Sequence, residues 1–188
     1  MKEILFINAC VRPNSRTLEL AKHVLLKLAG RVEEVKLYNQ DLSPLGLADI
    51  EIREKALASK DFSNSIFNLA KQFADAETIV VSAPYWDLTF PAVLKCYFER
   101  VTVNGLTFCY GENGVPQGLC KGKKLIYVTT AGGPIINNFG YEYVKALSKN
   151  FYGIKEVQLV KAECLDMHGA DIVKIMKDAK ETYNNQTN

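Results

Sequence analysis

The sequence predicts an α/β fold built on a doubly wound parallel sheet of five strands, and three observations point there. Short apolar runs with strand character alternate from end to end with longer segments of helical period. Two of those runs, Thr78-Ile-Val-Val-Ser82 and Leu125-Ile-Tyr-Val-Thr129, are almost wholly apolar, as central parallel strands buried on both faces are. No repeat, low-complexity tract or Pro/Ser-rich linker breaks the pattern, so 188 residues of 48% hydrophobic content are expected to form a single domain, 1–188.

The first strand is placed at residues 4–8. A helix over 15–29 follows, with Leu18, Ala21, Leu25 and Leu28 on one face and Gly30 as its stop. Residues 32–37 form a half-polar strand with Val32, Val35 and Leu37 inward, suited to a sheet edge. Residues 39–47 read as loop and 49–60 as an exposed charged helix; Ile66, Leu69, Ala70 and Phe73 then give the next helix its apolar stripe. The strand at 78–82 leads to a helix carrying Val93, Leu94, Tyr97, Phe98 and Val101. The strands at 125–129 and 157–160 precede a closing helix from Asp171 to about Thr182.

Composition removes several function classes. Lysine and arginine total 23 against 21 acidic residues, a net charge of +2, which supplies no broad basic field for nucleic acid. The first strand starts too early for a signal sequence, and no run approaches the ~20 apolar residues of a membrane span; a soluble, cytoplasmic protein is expected. Cys10, Cys96, Cys109, Cys120 and Cys164 are odd in number and lack C-x-x-C spacing, against disulfides or structural zinc. No base lies near Cys10 in sequence to make it a nucleophile. His23, within the first helix, and His168, at the start of the last, read as structural or surface residues.

In doubly wound sheets ligands sit beyond the carboxyl ends of the strands, which directs attention to the loops after the first, third and fourth. The first, Asn8-Ala-Cys-Val-Arg-Pro-Asn-Ser-Arg-Thr17, sets short polar residues where a helix begins. Free backbone N–H groups, the hydroxyls of Ser15 and Thr17 and the positive helix end suit a phosphate; ordinary capping by Asn14, Ser15 and Thr17 would use the same residues. Arg12 and Arg16 could add charge. Neither G-x-G-x-x-G nor G-x-x-x-x-G-K-[ST] is present. The second loop, Ser82-Ala-Pro-Tyr-Trp-Asp-Leu-Thr-Phe-Pro91, exposes aromatics that a flat apolar ring, or another subunit, would cover. The third, Thr129-Thr-Ala-Gly-Gly-Pro134, is a turn nearly without side chains that lets backbone approach a ring edge.

In this order and spacing the three loops, with Leu94-Lys-Cys-Tyr-Phe-Glu-Arg, Gly105-Leu-Thr-Phe-Cys-Tyr and the 118–124 run, resemble the flavodoxin-like FMN-dependent NAD(P)H oxidoreductases, especially the azoreductase and quinone-reductase group, over essentially the full chain. The resemblance implies a flavodoxin-like sheet of order 2-1-3-4-5 with helices on both faces, bound FMN, and NADH or NADPH as co-substrate. It implies that Ser15, Arg16 and Thr17 hold the FMN phosphate; Arg12 and Asn14 of the same loop are kept as further cofactor-binding candidates on the loop's own chemistry. Pro84, Tyr85, Trp86, Asp87 and Leu88 would line the isoalloxazine, and Thr129, Thr130, Ala131, Gly132 and Gly133 would meet its pyrimidine edge. The sequence departs from the family at Ala131, where a polar residue or arginine is common, and at Asp87, where asparagine is; a carboxylate beside the ring would disfavour its anionic reduced form. No catalytic side chain and no metal site is expected, because the cofactor carries the chemistry. The implied reaction is ping-pong hydride transfer to a small aromatic acceptor: a quinone, azo compound or nitroaromatic. The alternative is a flavodoxin-type electron carrier, although such carriers tend to be strongly acidic. The resemblance also implies a homodimer, with Tyr97, Phe98 and Phe108 as subunit contacts or, equally, as core.

Overall fold

The computed structural model describes residues 3–187; residues 1, 2 and 188 of the expected domain lie outside them. The strands are β1 (Glu3–Asn8), β2 (Arg31–Lys36), β3 (Thr78–Ser82), β4 (Phe108–Tyr110), β5 (Pro116–Gly118), β6 (Lys124–Thr130) and β7 (Glu156–Ala162). The α-helices are α1 (Arg16–Leu26), α2 (Leu47–Ser59), α3 (Asn68–Asp75), α4 (Ala92–Val101), α5 (Phe139–Leu147) and α6 (Ile172–Thr187). Five strands form a wholly parallel sheet in the order β2-β1-β3-β6-β7, the expected flavodoxin-like winding.

Alternation along each strand divides the core in two. Ile4, Phe6, Val80, Ile126 and Val128 face α1 and α6, where Leu20, Val24, Met176 and Tyr183 complete one cluster. Leu5, Ile7, Ile79, Val81, Leu125 and Tyr127 face the other way, onto Ala56, Phe73, Leu94, Tyr97 and Val144. Both faces are thus covered by helices, which is why β3 and β6 had to be continuously apolar.

Several boundaries differ from expectation. Helix α1 ends at Leu26, three residues short of Ala29, because the Lys27 N–H closes on the Val24 and Leu25 carbonyls in a tightened last turn. Its buried stripe is Thr17, Leu20, Ala21 and Val24, with Leu18, Leu25 and Leu28 at the margin. At the edge strand β2 only Val35 is inward; Val32 is exposed, and Leu37 is buried from a 3-10 turn beyond the strand. His168 lies exposed in the turn before α6, while the His23 ring meets Asn184 at 3.0 Å and joins α1 to α6.

Tyr97 and Phe98 are fully buried, and Phe108 nearly so, against this chain's own Phe73, Phe90 and Phe151. They are core residues and leave no ring surface for a partner subunit. The sequence did not place the β4–β5 hairpin, α5 or the π-helical turn at Ser148–Tyr152. The hairpin packs so closely on that turn that a Cβ at Gly118 would sit 2.2 Å from the Gly153 nitrogen.

Candidate functional site

The parallel ladder runs one residue past the strands at their carboxyl ends. Ala9 N–H donates to Ser82 O at 2.9 Å, Ala83 N–H to Val128 O at 3.0 Å, and Ala131 N–H to Ala162 O at 3.0 Å. Four loops leave the sheet at this carboxyl edge, those after β6 and β7 two residues beyond those after β1 and β3. They enclose a cleft of about 350 Å³ lined by Arg12, Asn14, Ser15, Arg16, Thr17, Pro84, Tyr85, Trp86, Thr130, Ala131 and Gly132. Cys10, Val11, Leu165 and Asp166 complete the wall.

In the first loop buried Asn8 sets the path. Its Oδ1 accepts from Cys10 N–H at 2.9 Å and from the Ser82 hydroxyl at 3.3 Å, while its Nδ2 donates to Glu34 at 2.8 Å. Ser15 caps α1, its hydroxyl accepting from Leu18 N–H at 3.3 Å, and its carbonyl accepts from Glu19. Among the described residues the N–H groups of Arg16 and Thr17 meet no acceptor, so two helix-end donors face the cleft. The Thr17 hydroxyl is buried, 2.6 Å from that of Thr130. No described residue pairs with the Arg12 guanidinium, whereas that of Arg16 bonds Leu165 O at 2.9 Å and Asp166 Oδ1 at 2.6 Å. Burial pushes the Cys10 thiol above its ordinary value, and hydrogen bonds with Ser15 and Ser82 only partly offset this; the group is not an activated nucleophile.

In the second loop Tyr85 N–H donates to Thr130 O at 3.0 Å and its hydroxyl to Asn137 O at 2.7 Å, fixing the wall at residues 84–86. The chain then turns back, with Trp86 and Thr89 exchanging backbone hydrogen bonds around Asp87 at φ 50° and Leu88 at φ 69°. This two-residue reversal carries Asp87 and Leu88 off the cleft wall. Asp87 lines a separate, mainly apolar groove of about 690 Å³ with Trp86, Phe90, Pro91, Phe139 and Tyr143, and the Leu88 carbonyl accepts from Phe139 N–H. The Asp87 carboxylate is therefore not part of the cleft lining.

In the third loop Thr130 and Gly132 are at the wall, but Thr129 is buried on the opposite face of the sheet, on the side of Leu125 and Tyr127. Gly133 lies outside the wall, its carbonyl taken by Cys164 N–H. The loop is anchored by Glu163, which accepts from Ile135 N–H at 2.9 Å and pairs with Lys161 at 2.9 Å. Burial pushes the Glu163 carboxyl up, but the Lys161 ammonium and the Ile135 N–H outweigh it and hold the group below its ordinary value. Leu165 and Asp166 come from the loop after β7, to which sequence reasoning assigned nothing. They carry no local motif, and only the pairing of β7 with β6 brings them to the cleft.

The donor set suits an anion at the head of α1, with unpaired backbone N–H groups, a hydroxyl and a free guanidinium; the Pro84, Tyr85 and Trp86 wall suits a flat ring. Among the described residues no group of three or more potential metal ligands exists, and no helix is long and apolar enough to cross a membrane.

Comparison with known proteins agrees with the fold. The family described as having a flavodoxin-like fold matches residues 2–187. An FMN-dependent NADH:quinone oxidoreductase of Coprothermobacter proteolyticus is 33% identical over 196 aligned positions, covering 95% of this chain and 94% of the relative. A protein of the same name from Lachnoclostridium phytofermentans is 31% identical, covering 96% of each. Among solved structures, an azoreductase from Bacillus anthracis superposes with a TM-score of 0.84 at 26% identity, over 97% of this chain and 96% of that one.

Proposed function

The chain belongs to the family with the flavodoxin-like fold, and from that premise we propose that it is an FMN-dependent oxidoreductase that uses NADH to reduce quinones or azo compounds. The observation that carries this reading is the cleft at the carboxyl edge of the sheet. It joins an anion-binding helix end to an aromatic wall at the positions the family resemblance assigned to flavin.

When bound, FMN supplies the two-electron relay between nicotinamide and acceptor. The chain's own residues bind and orient. The Arg16 and Thr17 N–H groups, with the Ser15 hydroxyl and the Arg12 guanidinium, would hold the phosphate. Pro84, Tyr85 and Trp86 form the wall for the ring system, and Trp86, 42% exposed, excludes water from one side. Thr130, Ala131 and Gly132 would line the ring edge. Donor and acceptor use one slot in turn, a ping-pong order, and flat nitroaromatics fit that slot as quinones do.

The apolar groove beside Trp86 supports a homodimer in which a second copy covers the exposed Trp86 and Phe139 and closes the slot. The test is spectroscopic: the purified protein is expected to be yellow and to bleach anaerobically with NADH, then regain colour on adding a quinone. Protein that takes up no FMN would overturn the reading, and yellow protein that NADH leaves unbleached would make it a carrier.

A further inference from the structure

Resting on the flavin reading above, we infer that Arg16 and Asp166 form a clasp that shapes the cleft, so that Arg16 is a positioning residue while Arg12 supplies the cation for the phosphate. Both terminal nitrogens of Arg16 are committed across separations of 149 and 150 residues, Nη1 to Leu165 O at 2.9 Å and Nη2 to Asp166 Oδ1 at 2.6 Å. The far side of the clasp is seated as firmly. Asp166 N–H donates to Gly132 O at 2.8 Å and Leu165 N–H to Ala131 O at 3.2 Å. A Cβ at Gly132 would lie 2.4 Å from Asp166 Oδ2, so the carboxylate rests directly on the glycine.

Arg16 therefore ties the loop that begins α1 to the loop after β7 and, through it, to the 131–133 turn. Were its guanidinium to leave for the phosphate, the Asp166 carboxylate would stand uncompensated on the same cleft wall as a phosphate of nearly two negative charges. Keeping the pair closed removes that repulsion. Arg12, on the same wall with no partner among the described residues, can meet the anion without breaking a contact between them.

Riboflavin, which lacks the phosphate, separates the two roles. Flavin-free protein is titrated with FMN and with riboflavin, following quenching of flavin fluorescence, for wild type, Arg16→Met, Arg16→Lys, Asp166→Asn, Arg12→Met and the Arg16→Met/Asp166→Asn pair. Arg16→Met is expected to weaken riboflavin about fivefold, the range of a partly exposed ion pair, and FMN by more, because the uncompensated Asp166 carboxylate then also repels the phosphate. Asp166→Asn should weaken riboflavin by a similar factor and FMN by less, and the double variant should bind riboflavin no worse than Arg16→Met and FMN better than it. Arg16→Lys, which can still reach the carboxylate, should recover part of the loss for both. Arg12→Met should weaken FMN alone. The clasp is overturned if Arg16→Met weakens FMN but spares riboflavin, if Asp166→Asn tightens FMN, or if the two losses add. Wild-type protein that binds neither flavin would overturn the functional reading itself, and the clasp's ligand role with it.

Discussion

Cys10 and Thr17 are neighbours in the same wall with different consequences. A thiol attacks as its thiolate, and burial raises the Cys10 pKa above the ordinary 9.0. Its alkylation by iodoacetamide at neutral pH is expected to be slower than that of free cysteine, with a rate that levels off at higher pH than that of an ordinary thiol. FMN should slow it further, since Cys10 lines the cleft; a fast, pH-independent reaction would contradict the burial. Thr17 and Thr130 share a buried hydroxyl pair at 2.6 Å. Thr17→Val strands the Thr130 hydroxyl and should lower stability in urea by about 1–2 kcal/mol. Replacing both by valine should restore most of that, because no polar group is then left unpaired.

At the scale of elements, the reversal at residues 86–89 and the junction of α2 with α4 each convert local chemistry into position. Asp87 and Leu88 both hold left-handed backbone, a conformation that costs a non-glycine residue roughly 1–2 kcal/mol. Leu88→Val, whose branched Cβ tolerates that region worst, should destabilise by about 1–2 kcal/mol, whereas Leu88→Gly should be neutral or stabilising in thermal unfolding.

Helix α2 is fastened to the end of α4 by Arg53, which donates to the carbonyls of Glu99, Arg100 and Thr102, and by Arg100, which bonds Asp49 at 2.8 Å. The Gly46 N–H, then the Arg100 side chain, hold the Asp49 carboxyl below its ordinary value of 3.8. A lowered folded value means the carboxylate stabilises the fold above the unfolded pKa, and the contribution is lost as pH falls through the folded one. Asp49→Asn should therefore be less stable than wild type at neutral pH and converge with it in strong acid. Denaturation midpoints measured across that range check the sign.

For the whole molecule, the sheet order decides where ligands can go and where another chain can dock. The groove beside the cleft and the exposed Ile136 and Phe139 place apolar surface next to Trp86. Sedimentation velocity at micromolar concentration is expected to show a dimer, and Phe139→Glu to dissociate it with the fold intact by circular dichroism. A wild-type monomer would dispose of the shared slot. It would leave the flavin cleft untouched, since all of that wall comes from one chain.

Local pattern carried the fold a long way. Apolar runs announced β1, β3 and β6, the last two as strands buried on both faces, and the polar residues of 12–17 announced the helix end, because such signals arise within a few residues of chain. The β4–β5 hairpin was illegible: three-residue strands containing Pro116 and Gly118 carry no periodicity, and the pair is held by packing on the π-helical turn. The sequence by itself determined the doubly wound class and three of the loops that form the cleft. Tertiary structure alone decided that the loop after β7 joins them, that Thr129 and Asp87 turn away, and that Arg16 answers Asp166. Those outcomes depend on strand register and on contacts between residues as much as 150 positions apart, where no local preference can encode which side chains will meet.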